Sequence, residues 1–190
     1  MSARDGLPRA LAVTAALAAL PWALGAAPLV RFTRERIELH ARPGALTVDG
    51  RYVYENPWPL PLVQGLDVPF AQGDGQAAPA TVAAFVVDAG GAETPLPVRW
   101  VLGRPRVSVT VPARGAVELR VRFEQVCAAG RGTYLLTTTR PWGRPLVEAE
   151  YLVRTDRVRL VRSSLPLDAG DRTVRRDFLP EDDWRLEWSP

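Results

Sequence analysis

Val117-Glu118-Leu119-Arg120-Val121-Arg122-Phe123-Glu124 alternates without a break. Val117, Leu119, Val121 and Phe123 fall on one side of an extended chain, and Glu118, Arg120, Arg122 and Glu124 on the other. Successive strand side chains point to opposite faces, so one face of this segment seeks a core and the other seeks water. That pattern marks a half-buried antiparallel strand.

The same period recurs through most of the chain. Ile37, Leu39 and Ala41 alternate with Glu38, His40 and Arg42. After the turn at Pro43-Gly44, Leu46, Val48, Tyr52 and Tyr54 keep one parity, so Asp49-Gly50 lies inside a single long strand. Asn56-Pro57-Trp58-Pro59 ends it, because proline cannot continue a central ladder. Further strands are expected at 63–68, 81–87, 98–102, 106–111, 134–139, 146–153 and 158–162, with turn residues between them. Trp184, Leu186 and Trp188 suggest a last strand that docks locally along an edge, or else adds to a partner's sheet. The expected fold is all-β, an immunoglobulin-like antiparallel sandwich of about nine to eleven strands over residues 34–190. Ala71–Pro79 reads as a loose loop, and no internal repeat or second domain is visible.

The N-terminus reads differently. Ala10–Val30 carries no charge, follows Arg4 and Arg9, and runs into Arg31, Arg34 and Arg36. Residues 1–30 are therefore expected to begin with an apolar helix. Two functions fit it. A basic stretch, an apolar core and the small residues Ala23 and Gly25 have the form of a secretory signal. The uncharged length also approaches the ~20 residues that cross a bilayer, which would make residues 10–30 a membrane anchor. Either reading places the domain outside the cytoplasm, in the periplasm or beyond.

Composition excludes several classes. All 24 basic residues are arginine, the formal charge is +3, and acids are interleaved with the arginines. A nucleic-acid binder would concentrate its basic charge on one face. Cys127 is the single cysteine, so no intramolecular disulfide can form, and His40 is the single histidine. His40 falls on the charged parity of its strand. One histidine and one cysteine cannot supply the usual zinc ligands. Ser108, Ser163 and Ser164 lack a nucleophile elbow. No catalytic, cofactor or metal site is expected.

Trp58 and Trp142, in proline-bounded turns, are the candidate ligand or partner contacts, because an exposed indole brings much apolar area at little entropic cost. Trp100 sits on a strand, and Tyr134 is expected in the core or at an edge, bonded through its hydroxyl. Arg36-Ile37-Glu38-Leu39-His40, Val48 to Pro57, Val68-Pro69-Phe70, Tyr134 to Thr139 with Trp142 and Pro145-Leu146, and Phe178 to Asp182 together resemble uncharacterised secreted or membrane-anchored bacterial proteins with an immunoglobulin-like sandwich. The strand, Asn56 and Val68-Pro69-Phe70 are also distantly similar to the β-sandwich domain that heads inter-alpha-trypsin inhibitor heavy chains. The resemblance implies a fold and an envelope address but no catalytic residues. The expected function is non-catalytic binding or scaffolding with an envelope protein partner. A carbohydrate-binding module using its tryptophans and an envelope hydrolase using carboxylates such as Asp49, Glu55 or Asp67 are the alternatives.

Overall fold

The structure, a computed structural model, describes residues 29–190. Thirteen strands occupy most of them: β1 (Arg31–Arg42), β2 (Ala45–Glu55), β3 (Leu62–Asp67), β4 (Val82–Val87), β5 (Glu93–Leu96), β6 (Arg99–Val101), β7 (Arg104–Val111), β8 (Ala116–Val126), β9 (Arg131–Tyr134), β10 (Leu146–Thr155), β11 (Arg159–Ser163), β12 (Arg172–Phe178) and β13 (Trp184–Ser189). A 3-10 helix, Thr137–Trp142, lies between β9 and β10. Seven strands form one sheet in the order β12-β10-β1-β2-β8-β4-β5, and two three-stranded sheets, β11-β13-β9 and β3-β7-β6, complete the fold.

The alternating segment at 117–124 is the middle of β8, flanked by β2 and β4. Its apolar residues are buried, as are Ile37, Leu39 and Ala41 of β1 and Leu46 and Val48 of β2. Val107, Val109 and Val111 of β7 and Trp184, Leu186 and Trp188 of β13 join the same core. The two small sheets thus cover one face of the large one. Val30 and Phe32 belong to that core, so packing begins ahead of Arg34.

The all-β reading holds, and β2 runs unbroken through Asp49-Gly50 as its parity requires. Three features differ from expectation. Two strands that the sequence reading did not expect, β5 and β12, raise the count, and the strand expected at 134–139 instead ends at Tyr134, with the 3-10 helix taking up Thr137–Trp142. The β1–β10 ladder is parallel, so the large sheet is mixed rather than antiparallel throughout. Parallel neighbours need a long crossover, and here everything from β2 to β9 intervenes. Alternation reveals which residues face inward but not which strands are neighbours, so it could not show this. β13 is the centre of its sheet, paired with β11 and β9 on its two edges, and is therefore not an edge strand available to a partner. The sheets establish the all-β class; they do not carry the finer immunoglobulin-like assignment. The expected apolar helix lies in residues 1–28, outside the described residues. Among the described residues no helix is long and apolar enough to cross a membrane.

The outer face of the large sheet is a lattice of ion pairs. Arg120 bonds Asp49 and Glu93, and Arg122 reaches both at 3.2 Å. Arg51 meets Glu118 at 2.9 Å, and Glu150 bridges Arg36 at 3.3 Å and Arg172 at 2.6 Å. Burial alone would raise the Asp49 carboxyl, but Arg120 and Arg122 hold it below the usual carboxylate range. Single exposed pairs contribute roughly 0–1 kcal/mol each, and a shared network such as Asp49-Arg120-Glu93-Arg122 gains by geometry.

The Ala71–Pro79 segment is less loose than its composition suggests. Gln76 and Gln125, both buried, bond each other at 2.9 Å. Gln125 also donates to the carbonyls of Ala71 and Ala77, and Gln76 exchanges bonds with the Thr133 backbone. The two amides staple the loop across β8 and β9, so their buried polar groups are paired.

Candidate functional site

A cleft of about 370 Å3 opens over the inner face of the large sheet. Leu119 and Val121 of β8 and Tyr52 of β2 line it together with Phe32, Tyr54 and Trp142. Leu66 and Asp67 of β3 contribute from one small sheet, and Tyr134 of β9 from the other. Trp142 lies in the 3-10 helix, whose end is set by Gly143 in the left-handed region at φ 70°. That turn places the indole 5.6 Å from the Phe32 ring and 5.3 Å from the Tyr54 ring. Phe32 and Tyr54 stack at 5.2 Å.

One carboxyl enters this aromatic setting. Glu35 lies on β1 at the parity of Ile37, Leu39 and Ala41, facing the core, and is 5% exposed. Tyr151 donates its hydroxyl to Glu35 Oε1. The Glu35 side chain lines the cleft. Burial pushes the Glu35 carboxyl up to about 7, although the Tyr151 hydrogen bond works the other way. The Tyr151 hydroxyl is itself driven far above its ordinary value, by burial first and then by the Glu35 charge. The Tyr52 and Tyr134 hydroxyls bond each other at 2.7 Å, and burial raises both. Tyr134 is thus a core residue bonded through its hydroxyl.

Gly50 makes the Tyr52 position available. A Cβ there would lie 2.2 Å from the Tyr52 hydroxyl and 2.6 Å from its ring. Only the absence of a side chain lets the ring fold back over its own strand. Gly50→Ala is therefore expected to displace Tyr52, break its bond to Tyr134 and destabilise the fold by about 1–3 kcal/mol. Chemical denaturation would measure the loss, and the Tyr134 hydroxyl would gain solvent exchange.

The residues singled out in the sequence fall in different places. Trp142 lines the cleft and is half-buried against Phe32 and Tyr54. Trp58 is exposed, away from the cleft lining, and its indole donates to the Leu29 carbonyl at 3.0 Å. The two indoles therefore do not form one platform. Trp100 is also exposed and meets Phe70, with ring centres 6.2 Å apart. The candidate carboxylates are engaged elsewhere: Asp49 on the outer face, Glu55 with Thr33 at 3.1 Å, and Asp67 with Arg106 at 2.6 and 3.1 Å. Asp67 does reach the cleft mouth. His40 stays on the outer face of β1. Cys127 is fully buried at the end of β8, and burial pushes its thiol up to about 11, far from a reactive thiolate. Glu35 was missed, yet its signal was present: an acid on the apolar parity of β1.

Among the described residues no cluster of His, Cys, Asp or Glu could hold a metal ion. A second hollow of about 460 Å3 lies beside Phe178, Glu181 and Asp183. Asp183 there is already bonded by the Thr137 amide and hydroxyl at 2.9 and 2.7 Å. The aromatic cleft is the better seat, because apolar walls with a few placed polar groups are what bind small molecules.

No protein-family model matches the chain. No curated protein matches it either. Solved structures do. A candidate nutrient-binding protein from Legionella pneumophila superposes with a TM-score of 0.61 at 15% identity, covering 85% of this chain and 67% of that one. An M1 zinc metallopeptidase from Deinococcus radiodurans matches at TM-score 0.45 and 14% identity, over 83% of this chain and 42% of the peptidase. A candidate protease from Parabacteroides distasonis matches at 0.43 and 10%, over 86% and 41%. The chain thus spans about two thirds of the first and about two fifths of the other two. The first likeness shows the fold alone, and the other two are too distant to carry an argument.

Proposed function

We propose that the chain is a non-catalytic binding protein of the cell envelope, exported or anchored through its N-terminal apolar segment, and that the aromatic cleft seats its ligand. The cleft itself carries the reading: about 370 Å3, aromatic walls, and one buried carboxyl, held by Tyr151, in its lining. A volume of this order suits a small molecule or the side chain of a partner segment. Hydrolysis by paired carboxylates is the weaker reading, because Glu35 sits among tyrosine hydroxyls while Asp67 is held by Arg106 at the mouth. The name of the Legionella protein agrees with a binding role, but its likeness carries only the fold.

The test is amide NMR of the labelled chain against a set of small aromatic fragments. Binding in the cleft is expected to shift the amides of Tyr52, Tyr54, Tyr134 and Trp142 together. Trp142→Ala is expected to weaken those shifts about ten-fold in affinity, one stacking partner being worth roughly a factor of that size. Shifts scattered over the surface, or unaltered by Trp142→Ala, would overturn the seat. N-terminal sequencing of protein from host fractions tests the address. A chain starting at Ala26 outside the cytoplasm, or an intact one in membranes, supports export; an intact soluble cytoplasmic chain contradicts it.

A further inference from the structure

We infer that the cleft selects an organic cation, a ligand whose protonated amine meets Glu35 and whose apolar body lies against Phe32, Tyr54 and Trp142. This inference rests on the cleft being the ligand seat and adds the class of ligand. Three observations carry it. The carboxyl is buried, its Oε1 accepts from Tyr151, and the Glu35 side chain lines the cleft. The cleft is lined by the aromatic rings of Phe32, Tyr54 and Trp142, and aromatic rings attract cations, more so when water is excluded. A buried carboxylate without a cationic partner is costly, so the group that would complete this site is a hydrogen-bonding cation.

The other charges near the cleft do not supply that cation. Arg104 lines the cleft but is exposed. Arg106 is engaged by Asp67. Arg175 of β12 acts on the Tyr151 hydroxyl, lies outside the cleft lining and is not among the groups that shift Glu35. The remaining groups around Glu35 are the hydroxyls of Tyr52, Tyr134 and Tyr151, neutral at ordinary pH because all three titrate above their usual value. A neutral Glu35 must lose its proton to solvent when the cation seats. Binding is therefore expected to release a proton below pH about 7 and to strengthen as pH rises through that value.

Isothermal titration of the full chain with 2-phenylethylammonium, 2-phenylethanol and phenylacetate tests the class. At about pH 8 the amine is expected to bind about ten-fold more tightly than the alcohol, and phenylacetate least. Glu35→Gln is expected to lower the amine's affinity about ten-fold and so to remove its preference over the alcohol. At about pH 6, titrations in two buffers of different ionisation enthalpy are expected to show proton release for the wild type and none for Glu35→Gln. Equal binding of amine and alcohol by the wild type would overturn the cation while leaving the cleft as the seat. An amine preference that survives in Glu35→Gln would do the same. Failure of all three probes to bind would overturn both the cation and the seat.

Discussion

Trp184→Ala is expected to destabilise the fold by about 3–5 kcal/mol, the range for removing a large aromatic side chain from a core. Trp184 is fully buried at the start of β13. Its ring meets Tyr151 edge-on at 5.5 Å, which couples the small sheet to β10 of the large one. Its indole donates to Ser163 Oγ at 2.9 Å, tying β13 to β11. Alanine would leave a cavity, remove the ring contact and remove the indole bond to Ser163 Oγ, which would keep its own bond to the Leu165 carbonyl at 2.5 Å. Loss of this size is a large share of the stability of an ordinary domain. Because Tyr151 also holds Glu35, the cleft should loosen with the core. Urea denaturation at neutral pH measures the change. A loss below about 1 kcal/mol would mean that the small sheet is not welded to the large one through this residue.

Glu35→Gln is expected to change stability in a way that depends on pH. In the folded chain the carboxyl keeps its proton up to about 7. In the unfolded chain it ionises near the ordinary glutamate value of about 4.3. Between those values the folded state binds more protons than the unfolded state, so wild-type stability falls as pH rises. Below the window both states are protonated and no penalty exists; above it the penalty is complete. A shift of this extent corresponds to about 3–4 kcal/mol. Glutamine has nearly the same shape and never ionises. The variant should therefore match the wild type near the lower end of the window and exceed it by about 3–4 kcal/mol above about pH 8. Urea denaturation series at both ends test this. Parallel curves for the two proteins across the whole range would show that Glu35 ionises as freely in the fold as outside it. A saturating cationic ligand should shrink the difference, because it would offset the cost of the charge.

The two effects separate what the sequence shows from what it hides. Strict alternation at 117–124, and parity carried through Asp49-Gly50, were enough to place β8 and β2 and to tell their inner faces from their outer faces. The same parity was enough to mark Glu35, since an acid between Thr33 and Ile37 on the buried side is a conflict that needs a reason. Neighbour relations were not visible. The parallel β1–β10 ladder joins segments separated by most of the domain, and no local pattern encodes it. Nor could local pattern show that Tyr52 folds back over Gly50, or that Trp142 meets Phe32 while Trp58 does not. Those facts depend on how three sheets stack. The tryptophans drew attention as residue types, and only the stacking divided them into one that lines the cleft and one that covers Leu29. The arginine-rich composition proved a poor guide to function for a related reason. On the outer face Arg120, Arg122 and Arg172 are matched by Asp49, Glu93 and Glu150, a pairing that a count of arginines does not reveal.

The most direct test of the central claim is a crystal structure of the chain soaked with a set of small aromatic and amine fragments. Fragment density is expected in the cleft, against the Trp142 and Tyr54 rings and within hydrogen-bond reach of the Glu35 carboxyl. Density confined to the ion-paired outer face or to the hollow beside Glu181, with the cleft empty at every soak, would contradict it.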